Sequence, residues 1–505
     1  MAKKPLPSCT LQGKNPPPRL NLTARSHLKL TRTDPFAMNL LKSKALTALL
    51  MGLAFVPCKL SAQTTWQLEE TTLVEYDLAT GISIPWELLW GPDDMLWCTT
   101  RYGDVLHIDP ATGAYDTVLE LDVYGGNGEP GLLGMAMHPD WENTPEVFLV
   151  YTEGSWIGGT SERLSKFTWN GSELVDEQIL HSVEAGGIHN GSRLLVLPDN
   201  TLLMTTGDVG DGGVSSQSDN SDNGKVLRFN LDGSVPANNP TPGSHVWSKG
   251  HRNAQGLCLG PNGLVYSSEH GQSNWDEFNI IEPGRNYGWP NVEGECNTNA
   301  EQAFCEANDV MEPLMTWSPC AAVNGIEYYD HVGIPEWQGS VLMAVLGGFA
   351  LNDKRLSVLH MSEDGLTIES EDQFFSEFNQ RVRDVAVNPY TGAVYLAFNG
   401  PSYPGSGLNV IKEFRPQSAD QVEDWSDDRG LDMFPNPTSS SVRLNVGAAW
   451  NRAEASVYDV QGQEVWRGVL TPGLTLDVTS WNPGTYFLAT TDDQGHTLSR
   501  TLVVK

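Results

Sequence analysis

Gly260-Pro261-Asn262-Gly263-Leu264-Val265-Tyr266 combines a proline-centred turn with the start of a short apolar strand. Similar turns recur along the chain. They are marked by Pro92, Pro139, Pro198, Pro261, Pro335 and Pro389. Successive prolines are 47 to 74 residues apart, which suits one four-stranded antiparallel sheet with its loops. The series predicts an all-β fold, with a six-bladed β-propeller over residues 66–415 whose sheets pack radially and leave few free edges.

A second β-rich segment follows this region. Residues 416–430 are polar and acidic, a composition that is typical of a linker. Residues 431–505 then carry six or seven short alternating strands, among them Ser441–Val446 and Gly484–Ala489. This pattern predicts a small Ig-like β-sandwich as the C-terminal domain.

The first 62 residues differ in composition from the rest. They hold ten basic residues and one acid, whereas the remaining chain carries 21 basic and 62 acidic residues, a net charge of −41. An apolar run, Ala45 to Val56, follows a basic stretch that begins at Met38 and precedes a cleavage site after Ala62. We interpret this as a signal peptide with Met38 as the true start, because the run is too short to span a bilayer. The acidic mature chain excludes nucleic-acid or anionic-membrane binding through bulk charge, and we expect no membrane span in the mature protein.

The cysteines are consistent with an exported protein. Export permits disulfides, and Cys296 and Cys305 lie close together in a polar loop. They form the expected pair, with Cys320 as the competitor. None of the cysteine spacings matches a zinc signature.

A histidine among glycines and a later aspartate form the first candidate site. His189 follows Gly186-Gly187-Ile188, and Asp208 comes one hairpin later. Adjacent antiparallel strands would bring both to the same end, where the carboxylate would fix the imidazole tautomer and raise its basicity. The pattern favours a general base with an orienting acid; a structural loop histidine is the alternative.

Two arginine motifs form the next candidates. Arg252 offers a planar fork for a carboxylate, and Asn253 and Gln255 add neutral hydrogen bonds. Arg381 and Arg383 alternate along a strand, so both point to one side. Two converging guanidinium groups in an acidic protein require an anion or paired acids, unless they belong to a surface salt-bridge ladder.

Two acidic segments raise the question of a cation. Glu269-His270-Gly271-Gln272, followed by Asp276-Glu277, could offer backbone carbonyls and carboxylates to a hard cation. The Asp-rich segment 208–224 resembles an EF-hand loop, but Asn230 stands where the bidentate acid should be. The motifs together predict a pocket that holds a polyanion, a cation and a general base.

An ordered set of stretches resembles the soluble quinoprotein glucose/sorbosone dehydrogenase family, the PQQ-dependent aldose sugar dehydrogenases. The resemblance runs from about Ile82 to Phe414. The stretches that carry it are Ile84-Pro85-Trp86, Thr100-Arg101-Tyr102-Gly103, Gly131-Leu132-Leu133-Gly134-Met135-Ala136-Met137-His138-Pro139, His189-Asn190-Gly191-Ser192-Arg193-Leu194, Gly224-Lys225-Val226-Leu227-Arg228 with Asp232-Gly233-Ser234-Val235-Pro236, Gly250-His251-Arg252-Asn253-Ala254-Gln255-Gly256-Leu257, Asn286-Tyr287-Gly288-Trp289-Pro290 and Arg381-Val382-Arg383-Asp384.

The resemblance implies a six-bladed propeller that oxidises the anomeric C1 hydroxyl of a sugar to a lactone. It implies pyrroloquinoline quinone (PQQ), a tricarboxylate, as cofactor, Ca²⁺ as its metal, and an external electron acceptor. His189 would be the general base and Asp208 its orienting partner. The residues implied to hold the quinone are Arg252, Asn253, Gln255, Arg381 and Arg383. The carbonyls of Gly271 and Gln272 would hold Ca²⁺.

Three positions depart from the family pattern. Gln272 stands where the family often has proline, although its carbonyl is retained. Glu129, before the Gly131–Gly134 stretch, stands where some members have glutamine. Asn352 aligns with a lysine that pairs with the quinone. Glu129 and Asn352 are therefore cofactor-facing positions whose chemistry differs from that of the family.

The C-terminal segment resembles the type A sorting domain of the type IX secretion system. The matching features are Phe434-Pro435-Asn436-Pro437-Thr438, Val457-Tyr458-Asp459-Val460-Gln461-Gly462, Pro483-Gly484-Thr485-Tyr486-Phe487 and the basic terminal Lys505. This resemblance covers Leu431 to Lys505. It implies the type IX machinery as a partner and a secreted or cell-surface location; an ordinary adhesive or spacer sandwich is the alternative.

Three functions follow from these observations. The first is a secreted PQQ- and Ca²⁺-dependent sugar dehydrogenase. The second is a non-catalytic propeller that binds a protein or glycan at the cell surface. The third is a metal-dependent hydrolase such as a lactonase, which would need side-chain metal ligands converging on the axis and would leave the double-arginine motif without a role.

Overall fold

The computed structural model describes residues 64–125, 128–155, 157–348, 353–405 and 407–417, and most of 431–505. In that C-terminal part it describes 431–434, 436, 438, 440–446, 453–460, 462–471, 474–491 and 497–505. The described residues all belong to one unit of the chain, Ala62–Lys505. The predicted signal peptide, nearly all of the predicted linker and Asn352 lie outside them.

Short strands dominate residues 65–416, so the fold is mostly β, as predicted. The strands are β1 Thr65–Gln67, β2 Thr72–Ser83, β3 Pro85–Trp90, β4 Leu96–Thr100, β5 Asp104–Ile108, β6 Tyr115–Glu120, β7 Leu132–Met137, β8 Glu146–Ser155, β9 Gly159–Trp169, β10 Leu174–Glu184, β11 Leu194–Val196, β12 Thr201–Thr205, β13 Lys225–Asn230, β14 Val246–Lys249, β15 Ala254–Leu259, β16 Val265–Glu269, β17 Asp276–Ile280, β18 Met315–Trp317, β19 Val323–Tyr329, β20 Ser340–Val345, β21 Arg355–Met361, β22 Ile368–Phe374, β23 Val382–Val387, β24 Val394–Phe398 and β25 Leu408–Pro416. Three 3₁₀ turns lie at Pro261–Gly263, Pro335–Trp337 and Ser376–Phe378.

These strands form six antiparallel sheets in the described part of the chain. Sheet S1 has the order β1-β2-β25-β24-β23; S2 contains β3–β6, S3 β7–β10, S4 β11–β14, S5 β15–β18 and S6 β19–β22. Each of the six prolines of the sequence series lies in the connection between the first and second strands of one sheet, counting from β23 in S1. The predicted turns are therefore confirmed as turns at equivalent places.

Sheet S1 joins the two ends of the region. Strand β2 pairs with β25 from Leu73 opposite Pro416 to Ser83 opposite Leu408. The predicted linker was therefore placed one residue too early, because Pro416 still belongs to a hydrogen-bonded strand. Pairing the first long strand with the last one removes two free sheet edges.

Apolar side chains pack between successive sheets. Leu88 of S2 lies in one cluster with Ala386 of S1, and Trp97 of S2 lies in the next cluster with Leu132 of S3. Further clusters join S3 to S4, S4 to S5, S5 to S6, and S6 back to S1. Each fully buried large apolar side chain stabilises the fold by roughly 1.5–3 kcal/mol, so the closed series of clusters is the main source of stability.

The chain direction determines where polar loops meet. Because the prolines connect first to second strands at one end of each sheet, the entry to the first strand and the exit from the second lie at the other end. His189 precedes β11, Arg252 precedes β15 and Arg381 precedes β23, whereas Asp208 follows β12 and Gly271 follows β16. All five positions therefore belong to loops at the same end of their sheets.

The one α-helix among the described residues lies in the connection between β17 and β18. It is α1, Asn299–Asn308, and Thr298 and Glu301 form a capping box at its N-terminus. Cys305 of this helix forms a disulfide with Cys296, which confirms the predicted pair. Cys320 is a free thiol.

Residues 431–505 form two further antiparallel sheets. Their strands are β26 Leu431–Phe434, β27 Ser441–Val446, β28 Glu454–Asp459, β29 Glu464–Val469, β30 Leu474–Asp477, β31 Gly484–Thr491 and β32 Thr497–Val504. One sheet has the order β26-β27-β30 and the other β29-β28-β31-β32. Val442 and Leu476 of the first sheet share a buried cluster with Val457 and Leu488 of the second, so the two sheets bury one common core.

Candidate active site

A cavity of about 250 Å³ opens among the loops at the end of the sheets away from the prolines. It collects most of the residues that the sequence singled out. The predicted residues that line it are Glu129, His189, Arg252, Gln255, Gly271, Gln272, Arg381 and Arg383. Asp208 and Asn253 are buried behind this lining, and Asn352 lies outside the described residues.

His189 and Asp208 are in direct contact. Nδ1 of His189 lies 2.6 Å from Oδ1 of Asp208, so the hairpin places the two side chains together. Nη2 of Arg252 lies 3.1 Å from the other ring nitrogen, Nε2. A guanidinium group can only donate, so Nε2 accepts and Nδ1 carries the proton that it donates to Asp208. The imidazole is thereby held neutral, with its lone pair on Nε2.

Asp208 is buried but well provided with donors. Its Oδ1 also accepts from the Gly210 N–H at 2.9 Å, and its Oδ2 accepts from the Trp289 indole at 2.9 Å. Burial by itself would raise the pKa of Asp208, but the hydrogen bonds, chiefly the one from His189, outweigh it and leave the pKa below its ordinary value. Asp208 is therefore a carboxylate, which suits it to orient an imidazole and stabilise its protonated form.

The backbone of His189 is held by Glu129. His189 has a φ of 58°, in the left-handed region that non-glycine residues rarely adopt. Its N–H donates to Oε2 of Glu129 at 2.8 Å. The Glu129 carboxylate is thus engaged with the loop that carries the histidine.

Arg381 and Arg383 present buried positive charge to the cavity. Both side chains are only 7% exposed, and no carboxylate among the described residues forms an ion pair with either. Desolvation lowers the pKa of Arg381 to about 10 and that of Arg383 to about 9, and the nearby Glu129 only partly offsets this effect. Among the residues that the structure describes, the buried Nε atoms of Arg383 and Arg252 have no hydrogen-bond partner, so this side of the cavity fits an anion.

An amide network orders the arginines. Oε1 of Gln255 accepts from Arg383 Nη1 at 2.9 Å and from Asn324 Nδ2 at 2.7 Å. Oδ1 of Asn324 accepts a second bond from Arg383 at 3.1 Å. Asn253 points the other way, where its Oδ1 accepts from the Gly191 N–H at 3.1 Å. Gln255 and Asn324 therefore orient Arg383, and Asn253 ties the arginine loop to the histidine loop.

Gly271 and Gln272 line the cavity with backbone. The Gly271 N–H donates to Oδ1 of Asp276 at 2.9 Å, and a Cβ at Gly271 would overlap the carbonyl oxygen of Asn274. In the described part of the chain, no hydrogen bond ends on the carbonyl oxygens of Gly271 and Gln272, which leaves them available to a hard cation. No group of three His, Cys, Asp or Glu side chains that could hold a metal occurs among the described residues.

Sequence reasoning missed three residues of this site. Arg101 lines the cavity, and its Nη1 donates to the Gly128 carbonyl at 2.6 Å. Tyr403 lies over Arg381, 5.8 Å from its guanidinium carbon, and Trp289 bonds Asp208 as described above. Arg101 and Trp289 belong to motifs that carried the family resemblance, so their position in those motifs was the available signal; Tyr403 had none.

Comparison with known proteins agrees with this geometry. A family model described as Glucose / Sorbosone dehydrogenase matches residues 82–403. The chain belongs to the glucose/sorbosone dehydrogenase family. A second model, described as Secretion system C-terminal sorting domain, matches residues 432–505. This sorting domain marks the protein for export, to the cell surface or the medium. No helix among the described residues is long and apolar enough to cross a membrane.

Two of the curated relatives to which the chain is similar are named as sugar dehydrogenases. The chain is 26% identical over 357 residues to aldose sugar dehydrogenase YliI of Escherichia coli (strain K12), covering 68% of this chain and 94% of the relative. It is 34% identical over 249 residues to quinoprotein glucose dehydrogenase B of Acinetobacter calcoaceticus, covering 43% of this chain and 52%, about half, of that enzyme. The PQQ-bound aldose sugar dehydrogenase of Streptomyces coelicolor superposes with a TM-score of 0.57 at 32% identity, covering 68% of this chain and 97% of that structure.

Proposed function

We propose that this protein is an exported quinoprotein that oxidises the C1 hydroxyl of an aldose sugar to a lactone and transfers the hydride to PQQ. The observation that carries the proposal is the meeting of a neutral, Asp208-bound His189 with the buried Arg381 and Arg383 in one cavity. A base beside uncompensated buried cations suits a reaction in which an anionic cofactor and an uncharged hydroxyl bind side by side. The named relatives support the same reaction class.

We propose that residues 65–416 form a six-bladed β-propeller, with the catalytic loops at one end of its axis. Six sheets and six clusters that close on themselves support this count. The domain limits follow: a leader over residues 1–62, the propeller, a linker that starts after Pro416, and an Ig-like sandwich over 431–505. The common core of the two C-terminal sheets supports the sandwich.

PQQ fits the residues present. A tricarboxylate offers several acceptors, and the cavity offers the unpartnered Nε atoms of Arg252 and Arg383 together with the charge of Arg381. Arg252, Arg381 and Arg383 would bind its carboxylates, with Gln255 holding Arg383 in place and Asn253 tying the arginine loop to the histidine loop. Gly271 and Gln272 would supply carbonyl oxygens to Ca²⁺. Two carbonyls are too few for a complete calcium shell, so Ca²⁺ would bind tightly only together with the cofactor.

The mechanism follows from the positions of His189, Asp208 and Arg252. When bound by the arginines, PQQ would provide an electrophilic carbonyl as hydride acceptor, and a cation held by Gly271 and Gln272 would favour that transfer. Nε2 of His189 takes the proton of the C1 hydroxyl, and Asp208 stabilises the resulting imidazolium. In the present arrangement Arg252 donates to the lone pair on Nε2 of His189. An anion that bound the Arg252 guanidinium would free Nε2 for the sugar.

The decisive experiment measures cofactor binding and turnover on the full mature chain. We expect calorimetric titration of PQQ to show tight binding with Ca²⁺ and weak binding with a chelator, and an aldose to reduce a dye acceptor only with both present. Arg383→Ala should weaken binding, and Arg415→Ala should not, because Arg415 is paired with Glu413 on β25 and does not line the cavity. Absence of PQQ binding in either condition would contradict the proposal and favour a protein- or glycan-binding propeller.

A further inference from the structure

Lys225 is a buried cation outside the cavity. It follows the Asp-rich loop 208–224, and none of its side chain is exposed. Its Nζ donates to the backbone carbonyls of Ser215 at 2.7 Å, Ser216 at 3.1 Å and Asn223 at 2.8 Å. No carboxylate in the described part of the chain forms an ion pair with it. Carbonyl oxygens converging on a positive charge inside an Asp-rich loop are typical of a bound metal ion, and here an ammonium group takes that place.

The surrounding charges act on Lys225 without touching it. They are Asp211, Asp219 and Asp222 of the loop and Lys249 of β14. Asp222 is bonded to His181 Nε2 of β10 at 3.0 Å, and Asp219 to Lys249 Nζ at 2.8 Å. Burial lowers the pKa of Lys225 to about 8, and the carboxylates only partly offset this effect.

The loop that Lys225 holds packs against Trp289. A Cβ at Gly213 would lie 2.6 Å from the indole nitrogen, so the glycine backbone is directly apposed to the ring. Gln217 Nε2 donates to the Trp289 carbonyl at 2.7 Å. Ser215 and Ser216, whose carbonyls receive the ammonium, lie between these two contacts. Trp289 in turn donates to Asp208.

We propose that the Lys225 ammonium is a positioning group for the catalytic base: it substitutes for a loop-binding cation and, through Trp289 and Asp208, sets the orientation of His189. Lys225 does not touch the cavity, so it acts only through these contacts. Without the ammonium, the Ser215 and Ser216 carbonyls each keep one donor, the N–H groups of Ser218 and Gly250. Among the described residues the buried Asn223 carbonyl loses its only donor, so the contact that ties the two ends of the loop together is lost beside Trp289. The inference rests on the proposed function, in which His189 takes a proton.

The test is chemical rescue in the full-length mature chain. Lys225→Ala should lower kcat by about 100-fold, since a displacement of about 1 Å in a catalytic group can cost that much, with KM and the PQQ Kd changed by less than about threefold. Methylammonium chloride should restore at least about tenfold of the loss, because it supplies a donor of the missing shape. Tetramethylammonium chloride at equal ionic strength should not, because it cannot donate. The matched control Lys249→Ala removes an ammonium that bonds the exposed Asp219 and should leave kcat unchanged.

A readout without turnover separates this inference from the proposed function. Hydrogen exchange of the amides of residues 211–217 should accelerate in Lys225→Ala and slow again with methylammonium. If that response occurs while no variant oxidises any aldose, the loop role is supported and the proposed function fails. If Lys225→Ala turns over normally, or its loss is not rescued and exchange is unchanged, the positioning role is overturned.

Lys225→Arg provides a second route if the alanine variant does not fold. Arginine keeps its charge at high pH, whereas burial lowers the pKa of Lys225 to about 8. We expect the wild-type rate to fall above about pH 8 and the arginine variant to keep its rate to higher pH. An identical alkaline limb in both proteins would overturn the proposal.

Discussion

The indole N–H of Trp289 donates to Oδ2 of Asp208 at 2.9 Å. The other carboxylate oxygen of Asp208 is bonded to His189 and the Gly210 N–H, so both oxygens are engaged before a substrate binds. The two residues are 81 positions apart in the chain, and their contact connects the loop after β12 to the excursion between β17 and β18. The orientation of the His189 imidazole therefore depends on Trp289, which acts on it through Asp208.

Trp289→Phe tests this relationship. We expect kcat to fall by about tenfold, because Asp208 loses one buried charge-assisted hydrogen bond of roughly 1.5–3 kcal/mol, while PQQ binding stays within a few-fold. Trp66→Phe is the matched control, since it removes an indole bond of 2.9 Å to Glu75 far from the cavity. Steady-state kinetics on both variants make the comparison, and an equal loss in both would point to a general effect on stability.

His189→Ala should lower kcat by about 100- to 10,000-fold, because a positioned general base contributes that much. Quinone binding should remain nearly intact, since the histidine carries no charge toward the anion.

Asp208→Asn keeps the shape of the carboxyl group but favours the wrong imidazole tautomer, so a loss of similar order is expected. Single-turnover kinetics with bound PQQ measure both; full activity in the alanine variant would remove His189 from the base role.

Arg383→Lys should weaken PQQ binding by about tenfold or more with little change in kcat at saturating cofactor. A lysine keeps the charge but loses the rigid planar guanidinium whose Nη1 bonds both Gln255 and Asn324, and with it the remaining N–H groups that would bond a carboxylate. Gln255→Glu should partly mimic a counter-ion for Arg383 and also weaken PQQ binding. Calorimetry measures both affinities, and tighter binding in Gln255→Glu would argue against an anion at this position.

Glu162 makes stability depend on pH. It is buried, accepts from Thr152 at 2.5 Å and Ser192 at 3.5 Å, and desolvation raises its pKa from 4.5 to about 8. The folded state therefore binds more protons than the unfolded state between these values, so the contribution of Glu162 to stability is lost as pH rises from about 4.5 to 8. Glu162→Gln should flatten the fall in unfolding free energy over this range.

The measurement is urea unfolding at pH 5 and pH 8. The variant should exceed wild type by about 1–3 kcal/mol at pH 8 and match it more closely at pH 5. Glu173→Gln, at an exposed turn, is the control and should leave the slope as in wild type. An unchanged slope in Glu162→Gln would show that this carboxyl is not the source.

Deletion of residues 431–505 should abolish export without removing the catalytic region. The sorting-domain match covers residues 432–505, and the strands of residues 65–416 pair only among themselves in the described part of the chain. We expect the truncated protein to be retained in the cell, with dye-linked activity in the lysate per mole of protein unchanged. Fractionation followed by immunodetection decides, and normal secretion of the truncated chain would contradict the role of the tail.

Local patterns in the sequence predicted features that depend on neighbours along the chain. The six prolines predicted six equivalent turns because a proline restricts its own φ and removes a donor, wherever the strands later pack. His189 and Asp208 could be placed together because one hairpin separates them, and antiparallel pairing returns the chain to the same end. The Cys296–Cys305 pair could be predicted because the two cysteines are only 9 positions apart in the chain.

Other features escaped because the groups that meet are distant in sequence. Glu129 lines the cavity, but nothing in its sequence position indicated that its carboxylate accepts the His189 N–H from 60 positions away. Asn324, which orients Arg383 from 59 positions away, belonged to no motif. The Asp-rich loop was compared with a calcium loop and set aside, because sequence alone does not show that the buried ammonium of Lys225 occupies its centre.

The sequence by itself determined the β architecture, the C-terminal sorting domain, the family and the types of side chain at the site. These features depend on strand period, turn residues and short motifs, which extend over only a few residues. Only the tertiary structure decided which donor meets which acceptor. The tautomer of His189, the unpaired charge of Arg381 and Arg383 and the support of Asp208 by Trp289 all arise where separate sheets bring their loops together. Burial then gives those contacts their strength, because a polar group removed from water must find its partner within the protein.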